Sequence, residues 1–324
     1  MRDVNKVRKD LSVSIIIPCI RIDDYTKQCI EHCKQLDYGN YEIILLPDVE
    51  SDKVDGVKVI PTGPVSPGAK RNIGIANSVS EICAFIDSDA YPTKNWLKNA
   101  VKYLDTPEVA AVGGPGLTPE EDNSMRKASG LVLSSFMVGN LSKRYQSKHT
   151  GESDDIHSCN FIARKPVLLE IGGWNEKYWP GEDTLICMAI KGVGKKMIES
   201  PDVVVYHHRR SLFKEHLIQV SSYGLHRGFF AKKFGKNSLR SLYFVPSFLV
   251  AFLFTGSILS FFNHFTFIVF FSLLGEYLFF SLIASCFEVK DLKLIPFVWL
   301  GILLTHISYG IMFTIGFIRS DLQR

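Results

Sequence analysis

The chain is poor in the features that most quickly betray a function. Its 324 residues hold seven cysteines, and no two of them form a C-x-x-C pair. Cys29 and Cys33 are four apart, which places them on one helix face, but a zinc site needs two more convergent ligands and none has suitable spacing. Unpaired thiols in odd number point to a reducing compartment. Charge of one sign is equally scarce. Thirty-seven Lys and Arg face 33 Asp and Glu, a net charge of only +4, so no polycationic nucleic-acid binder is expected. No G-x-G-x-x-G follows the first apolar run, and there is no Walker A loop or G-x-S-x-G elbow, which removes the Rossmann dinucleotide, P-loop and hydrolase readings. The apolar run near the N-terminus is short and broken by Pro18, so a signal peptide is not expected.

Apolar residues are present but unevenly distributed. From Tyr243 onward three stretches, about 243–262, 265–287 and 294–318, are long enough to cross a bilayer, and only the second contains an Asp, Glu, Lys or Arg, namely Glu276. Upstream of them Arg209, Arg210, Lys214, Arg227, Lys232, Lys233, Lys236 and Arg240 are opposed by the single acid Glu215. The positive-inside rule makes that run cytoplasmic, with a multi-pass anchor in the cell membrane. Leu212, Phe213, Leu217, Ile218, Tyr223, Phe229 and Phe230 are interleaved with these charges. Segment 209–242 therefore reads as one or two amphipathic helices on anionic lipid headgroups, the alternative being an ordinary basic flank. The small residues Gly275, Gly301 and Gly310 leave room for helix association and a homo-oligomer.

Residues 1–208 form a separate, soluble part. Short β-branched runs (VSIIIP at 13–18, YEIILL at 41–46, 57–60, ICAFI at 82–86 and 110–112) alternate with helical stretches at 24–36 and 67–78. That alternation predicts an α/β domain with a mainly parallel central sheet. Ligands of such sheets bind beyond the carboxyl ends of the strands. The residues there are Pro18 and Ile20, Asp48, and the D-x-D element Asp87-Ser88-Asp89, whose paired carboxylates suit a divalent cation bridging to phosphate. Lys70 and Arg71 stand in the first turn of a helix, where the macrodipole disfavours cations unless an anion is also present. Glu182 and Asp183 open another helix after a loop containing Trp174 and Trp179; one acid suffices as a cap, and Asp183 is a reasonable general base. A last strand-like run ends in His207, His208, Arg209 and Arg210, able to ligate metal or to bind phosphate.

In this order VSIIIP, PGAKRN, AFIDSDAYP, GGWNE, GED and HHRR resemble the family 2 glycosyltransferases, and within them the membrane-bound enzymes of surface-polysaccharide (succinoglycan-type) and lipid-linked glycan assembly. The resemblance covers about residues 12–227. It implies a GT-A fold and a nucleotide-sugar donor carrying UDP or GDP. Pro18 and Ile20 would flank the base and Asp48 contact it, with Lys70 and Arg71 near the nucleotide and Asp87 and Ser88 by the ribose. Asp89, with Asp87 and His207, would hold Mg2+ or Mn2+. Asp183, beside Glu182, would be the catalytic base. Trp174, Trp179, His208, Arg210 and Arg227 would serve the acceptor or its diphosphate. Two departures stand out: Pro47-Asp48 replaces the two acids of many relatives, and YGLHRG at 223–228 replaces the Q-x-x-R-W element of processive synthases. The expected activity is inverting, metal-dependent transfer to a hydroxyl of a lipid-linked saccharide. The alternatives are transfer to polyprenyl phosphate, whose anionic acceptor needs no base, and a non-catalytic transport or scaffold subunit.

Overall fold

The computed structural model describes residues 11–50, 53–139, 145, 149–235 and 238–322; Lys236 of the basic run lies outside them. The chain divides into two compact units, Met1–Gly116 with Ser147–His207, and Leu117–Gln146 with His208–Arg324. Residues 117–139, which the sequence places in segment 1–208, group with the second of these units.

The first unit is built on an eight-stranded sheet. Its strands are β1 (Val13–Pro18), β2 (Tyr41–Leu46), β3 (Lys58–Val59), β4 (Ile82–Phe85), β6 (Val109–Gly113), β8 (Gly151–Glu152), β9 (Phe161–Arg164) and β10 (Lys196–Glu199), while β5 (Ala90–Pro92), β7 (Gly116–Leu117) and β11 (Val205–His207) form a smaller sheet. The large sheet runs β3-β2-β1-β4-β9-β6-β10-β8. Strands β2, β1 and β4 are parallel, β10 is parallel to β6, and β9 is inserted antiparallel to both of its neighbours. Every residue of β1 is buried, and its side chains alternate between two cores: Ile15 and Ile17 join Ile43, Leu45 and Trp96, whereas Ile16 joins Ile44, Phe85, Phe161 and Trp174. Burial on both faces explains why this strand reads as a continuous apolar run. Helices α1 (Asp24–Lys34), α2 (Pro67–Asn77), α3 (Trp96–Val101), α5 (Lys165–Glu170) and α6 (Glu182–Gly192) complete the unit, with α4 (Ser124–Ser134) in the other. Asp23 and Ser66 cap α1 and α2 with their side chains, and Pro166 stands in the first turn of α5.

The second unit is helical: α4, α7 (Lys214–Lys233), α8 (Val245–Ser260), α9 (His264–Glu288) and α10 (Ile295–Ile318). Three helical stretches, Ser241–Ser260, His264–Phe287 and Leu292–Ile318, are long and apolar enough to cross a membrane. The segment expected to lie flat on headgroups is one 20-residue helix, α7. One of its faces is taken by α10. A Cβ on Gly224 would come within 2.7 Å of the Tyr309 carbonyl oxygen, one on Gly228 would collide with that of Phe313, and one on Gly316 with that of Leu225. Only glycine permits two helix backbones to approach so closely. His216 ties three helices, sharing hydrogen bonds with Ser129 of α4 (2.8 Å) and Thr305 of α10 (2.8 Å).

Candidate active site

The site lies wholly in the first unit, at the carboxyl ends of β1, β2 and β4. After Phe85 the chain leaves the large sheet through Asp87, Ser88 and Asp89 and enters β5, which pairs antiparallel with β11 in the register His207–Ala90. That pairing brings His207, 118 positions further on by subtraction, beside Asp89. Its Nε2 is 3.2 Å from Asp89 Oδ1. One ligand atom from each of Asp87, Asp89 and His207 falls within 4.8 Å of the others, and all three residues are partly accessible. Two hard carboxylates and one imidazole fit Mg2+ or, better, Mn2+.

Behind His207 stands a pair that the sequence did not reveal. Cys159 Sγ lies 3.2 Å from His157 Nδ1, and His157 Nε2 lies 3.0 Å from the Gly114 carbonyl oxygen. Burial raises the Cys159 thiol, but His157 and His207 outweigh it and bring it down to about 6. Burial lowers His207, but Cys159 and Asp89 outweigh it and push the imidazole up to about 10. Neither Cys159 nor His157 belongs to a spaced motif, and only the fold brings them to His207.

The cations at the start of α2 find their anions within the protein. Lys70 is buried, pairs with Asp48, and donates to the carbonyl oxygens of Cys19 (2.9 Å) and Leu46 (3.0 Å) and to Thr62 Oγ1 (2.8 Å). It thereby ties together the ends of β1 and β2. Arg71 is also buried and donates to Asp87 Oδ1 (2.8 Å) and Glu182 Oε1 (3.0 Å), its guanidinium lying 4.8 Å from the Trp174 ring centroid. Burial pushes the Glu182 carboxyl up to about 6, with Asp183 adding to the rise and Arg71 opposing it. Glu182 is thus an enclosed partner of Arg71. Asp183, one position on, is more accessible, and its carboxylate accepts from Thr184 N (2.8 Å) in the first turn of the helix. Gly181 admits this abrupt helix start with φ +111°, a region closed to most side chains.

The remaining expected residues divide by exposure. Ile20 is exposed at the mouth of the site, while Pro18 is buried at the end of β1. Trp174, expected at the acceptor, is 2% exposed and packs edge-on against Phe85 and Phe161, so it supports Arg71 from the core. Trp179 is 57% exposed, four residues before Asp183. In the second unit, His208 is buried against Asp122 (2.7 Å), Arg227 lies over the Tyr243 ring, and Arg210 is exposed.

A mainly parallel sheet with Asp87-Ser88-Asp89 following a central strand, and a histidine returned to it by a small second sheet, is a GT-A-like fold. Residues 14–169 match the family described as Glycosyl transferase family 2. That part of the chain carries a glycosyltransferase family 2 domain. The chain is 26% identical over 158 residues to the pre-mycofactocin glycosyltransferase of Mycobacterium tuberculosis, a match covering 49% of this chain and 33% of that protein, so the chain matches about a third of that relative's length. It is 22% identical over 244 residues to a dolichyl N-acetyl-α-D-glucosaminyl phosphate 3-β-D-2,3-diacetamido-2,3-dideoxy-β-D-glucuronosyltransferase of Methanococcus voltae, covering 68% of this chain and 74% of the relative. Among solved structures, a mannosyltransferase from Pyrobaculum calidifontis in complex with GDP-Man and Mn2+ superposes with a TM-score of 0.59 at 16% identity, over 96% of this chain and 88% of that one.

Proposed function

We propose that this glycosyltransferase moves a sugar, with inversion, from a UDP- or GDP-sugar to a hydroxyl of a lipid-linked saccharide at the cytoplasmic face of a membrane. The observation that carries the reading is the division of labour among the acids of one cleft. Asp87 and Asp89 gather with His207, Glu182 is committed to Arg71, and Asp183 is left accessible at a helix start. Asp87, Asp89 and His207 would hold a divalent ion, which would supply positive charge against the departing nucleoside diphosphate. Ile20 and Asp48 receive the base, with Lys70 holding Asp48 in place. Asp183 accepts the proton of the acceptor hydroxyl as its oxygen attacks the anomeric carbon opposite the leaving group. Trp179 offers an exposed ring on which an acceptor sugar can stack.

The lipid-linked acceptor is supported by the three apolar helices and by the dolichyl N-acetyl-α-D-glucosaminyl phosphate in the name of the Methanococcus voltae relative. An accessible carboxylate in the base position argues against polyprenyl phosphate itself as acceptor, because an anionic nucleophile has no proton to surrender. The decisive experiment is Asp183→Asn, since the asparagine side-chain oxygen can still accept the hydrogen bond from Thr184 N. Transfer is expected to fall about 10²–10⁴-fold while donor affinity and melting temperature stay unchanged. Retained transfer with a lowered melting temperature would reduce Asp183 to a structural residue of the helix start.

A further inference from the structure

Helix α9 carries Glu276 near the middle of a 24-residue span whose other residues are free of Asp, Glu, Lys and Arg. The helix has two unlike faces. Phe270, Tyr277, Ser281 and Ala284 recur at helical spacing on the inner face. Phe270 meets Phe252 of α8, Tyr277 Oη shares a 2.8 Å hydrogen bond with His306 Nδ1 of α10, and Ser281 Oγ accepts from Trp299 Nε1 at 2.8 Å. The outer face carries Phe265, Ile268, Ser272, Gly275, Glu276 and Phe279, all exposed. No hydrogen bond or ion pair to Glu276 is present among the described residues, and a Cβ built on Gly275 meets nothing within 4 Å.

A carboxyl group at the centre of a bilayer is expensive facing hydrocarbon, and intramembrane acids almost always face protein or a water-filled cavity and pair there. Among the described residues Glu276 does neither. The other small residues noted in the spans are already used: a Cβ on Gly301 would come within 2.7 Å of Val132, and one on Gly310 would strike the Pro246 carbonyl oxygen. Gly275 alone is left open, one position from the acid and three from Ser272.

We propose that this outer face of α9 is the contact with a second copy of the same chain, in which the Glu276 carboxyl hydrogen-bonds to Glu276 or Ser272 of the partner helix. The inference rests on α9 spanning a membrane. A second copy is the occupant that meets the requirement by symmetry. Two chains inserted in one orientation place their Glu276 residues at the same depth, and an isologous contact brings like positions together around the axis. Gly275 and Ser272 let the two helices come close enough for a short polar contact, as small residues do between membrane helices.

The test uses the full-length chain in lipid nanodiscs and in native membranes. Dimerisation is followed by energy transfer between labelled copies as protein is diluted into lipid. The wild type is expected to dimerise, Glu276→Gln to do so about equally, and Glu276→Leu to dimerise about tenfold less tightly. In a Cys286→Ser background, Ser272→Cys should give an oxidant-induced disulfide dimer, whereas Phe254→Cys, exposed on α8, should not. Sugar transfer to a short soluble acceptor serves as the control for folding. A monomeric wild type, unaltered dimerisation by Glu276→Leu, or cross-linking at 254 but not at 272 would each overturn the proposal. So would capture of Ser272→Cys by a different protein alone. None of these results bears on whether the first unit transfers sugar, which is read separately.

Discussion

Arg71 shows how two motifs far apart in the chain become one site. Its guanidinium spans from Asp87, in the D-x-D element, to Glu182, beside the proposed base, and is backed by the Trp174 ring. With Arg71 replaced by alanine, Glu182 becomes a buried carboxylate without its cation, a loss that typically costs about 3–5 kcal/mol. Arg71→Ala is therefore expected to lower the melting temperature sharply, and Arg71→Lys, which cannot bridge both acids with a planar fork, to lower it less while still impairing transfer. Calorimetry and transfer assays on the two variants check this. Asp89 has the opposite profile, being partly accessible and away from the cores. Asp89→Ala should leave the melting temperature within about 1 kcal/mol of wild type and abolish high-affinity Mn2+ binding, measured by titration calorimetry. The D-x-D carboxylates and Asp183 were legible as candidates because acids following an apolar strand or opening a helix are conspicuous. The identity of their counter-ions was not, since pairing over 111 positions between Arg71 and Glu182 leaves no local pattern.

Among the secondary-structure elements, β1, β2, β4 and α2 could be read from the chain because burial on both faces, or a capped start, writes itself into residue order. Strand β9 could not. Its four residues, Phe161–Arg164, are too short to show a period, and an antiparallel insertion between β4 and β6 depends on pairing partners on either side. Helix α7 was visible as basic and aromatic, but the spacing of Gly224 and Gly228 was read against a synthase motif when it in fact admits α10. His216 gives this packing a pH dependence. Burial lowers its imidazole from 6.5 to about 4, so the folded state favours the neutral ring. Stability from this group is present above the unfolded value and is lost as pH falls from about 6.5 toward 4, up to about 3 kcal/mol in all. Melting of the detergent-solubilised protein should therefore drop between pH 7.5 and pH 5. His216→Gln should melt lower than wild type at pH 7.5 yet change less on acidification. An unchanged pH response in that variant would assign the acid sensitivity to other groups.

Taken whole, the molecule joins a glycosyltransferase unit that needs only soluble donors to a helical unit with three stretches suited to a bilayer. A nucleotide sugar gives no reason for the second unit, and an acceptor carried on a lipid does. The division also matters for experiment. Because α4 and α7 are packed with α10 in one unit, removing the C-terminal helices would strip partners from Val132, Leu212 and His216 and confuse acceptor loss with misfolding. Point changes on exposed cations avoid that. Arg210 is exposed at the head of the second unit, and a guanidinium there can grip a diphosphate with two parallel hydrogen bonds. Arg210→Ala is expected to raise KM for a lipid-diphosphate-linked acceptor about 10- to 100-fold, the loss of one charge-assisted contact of roughly 1.5–3 kcal/mol. It should leave KM for the nucleotide sugar, and transfer to a phosphate-free soluble saccharide, unchanged. Arg210→Lys, a point charge without the fork, should fall between the two. Equal losses on lipid-linked and soluble acceptors would place Arg210 in the folding of the second unit and remove it from acceptor recognition.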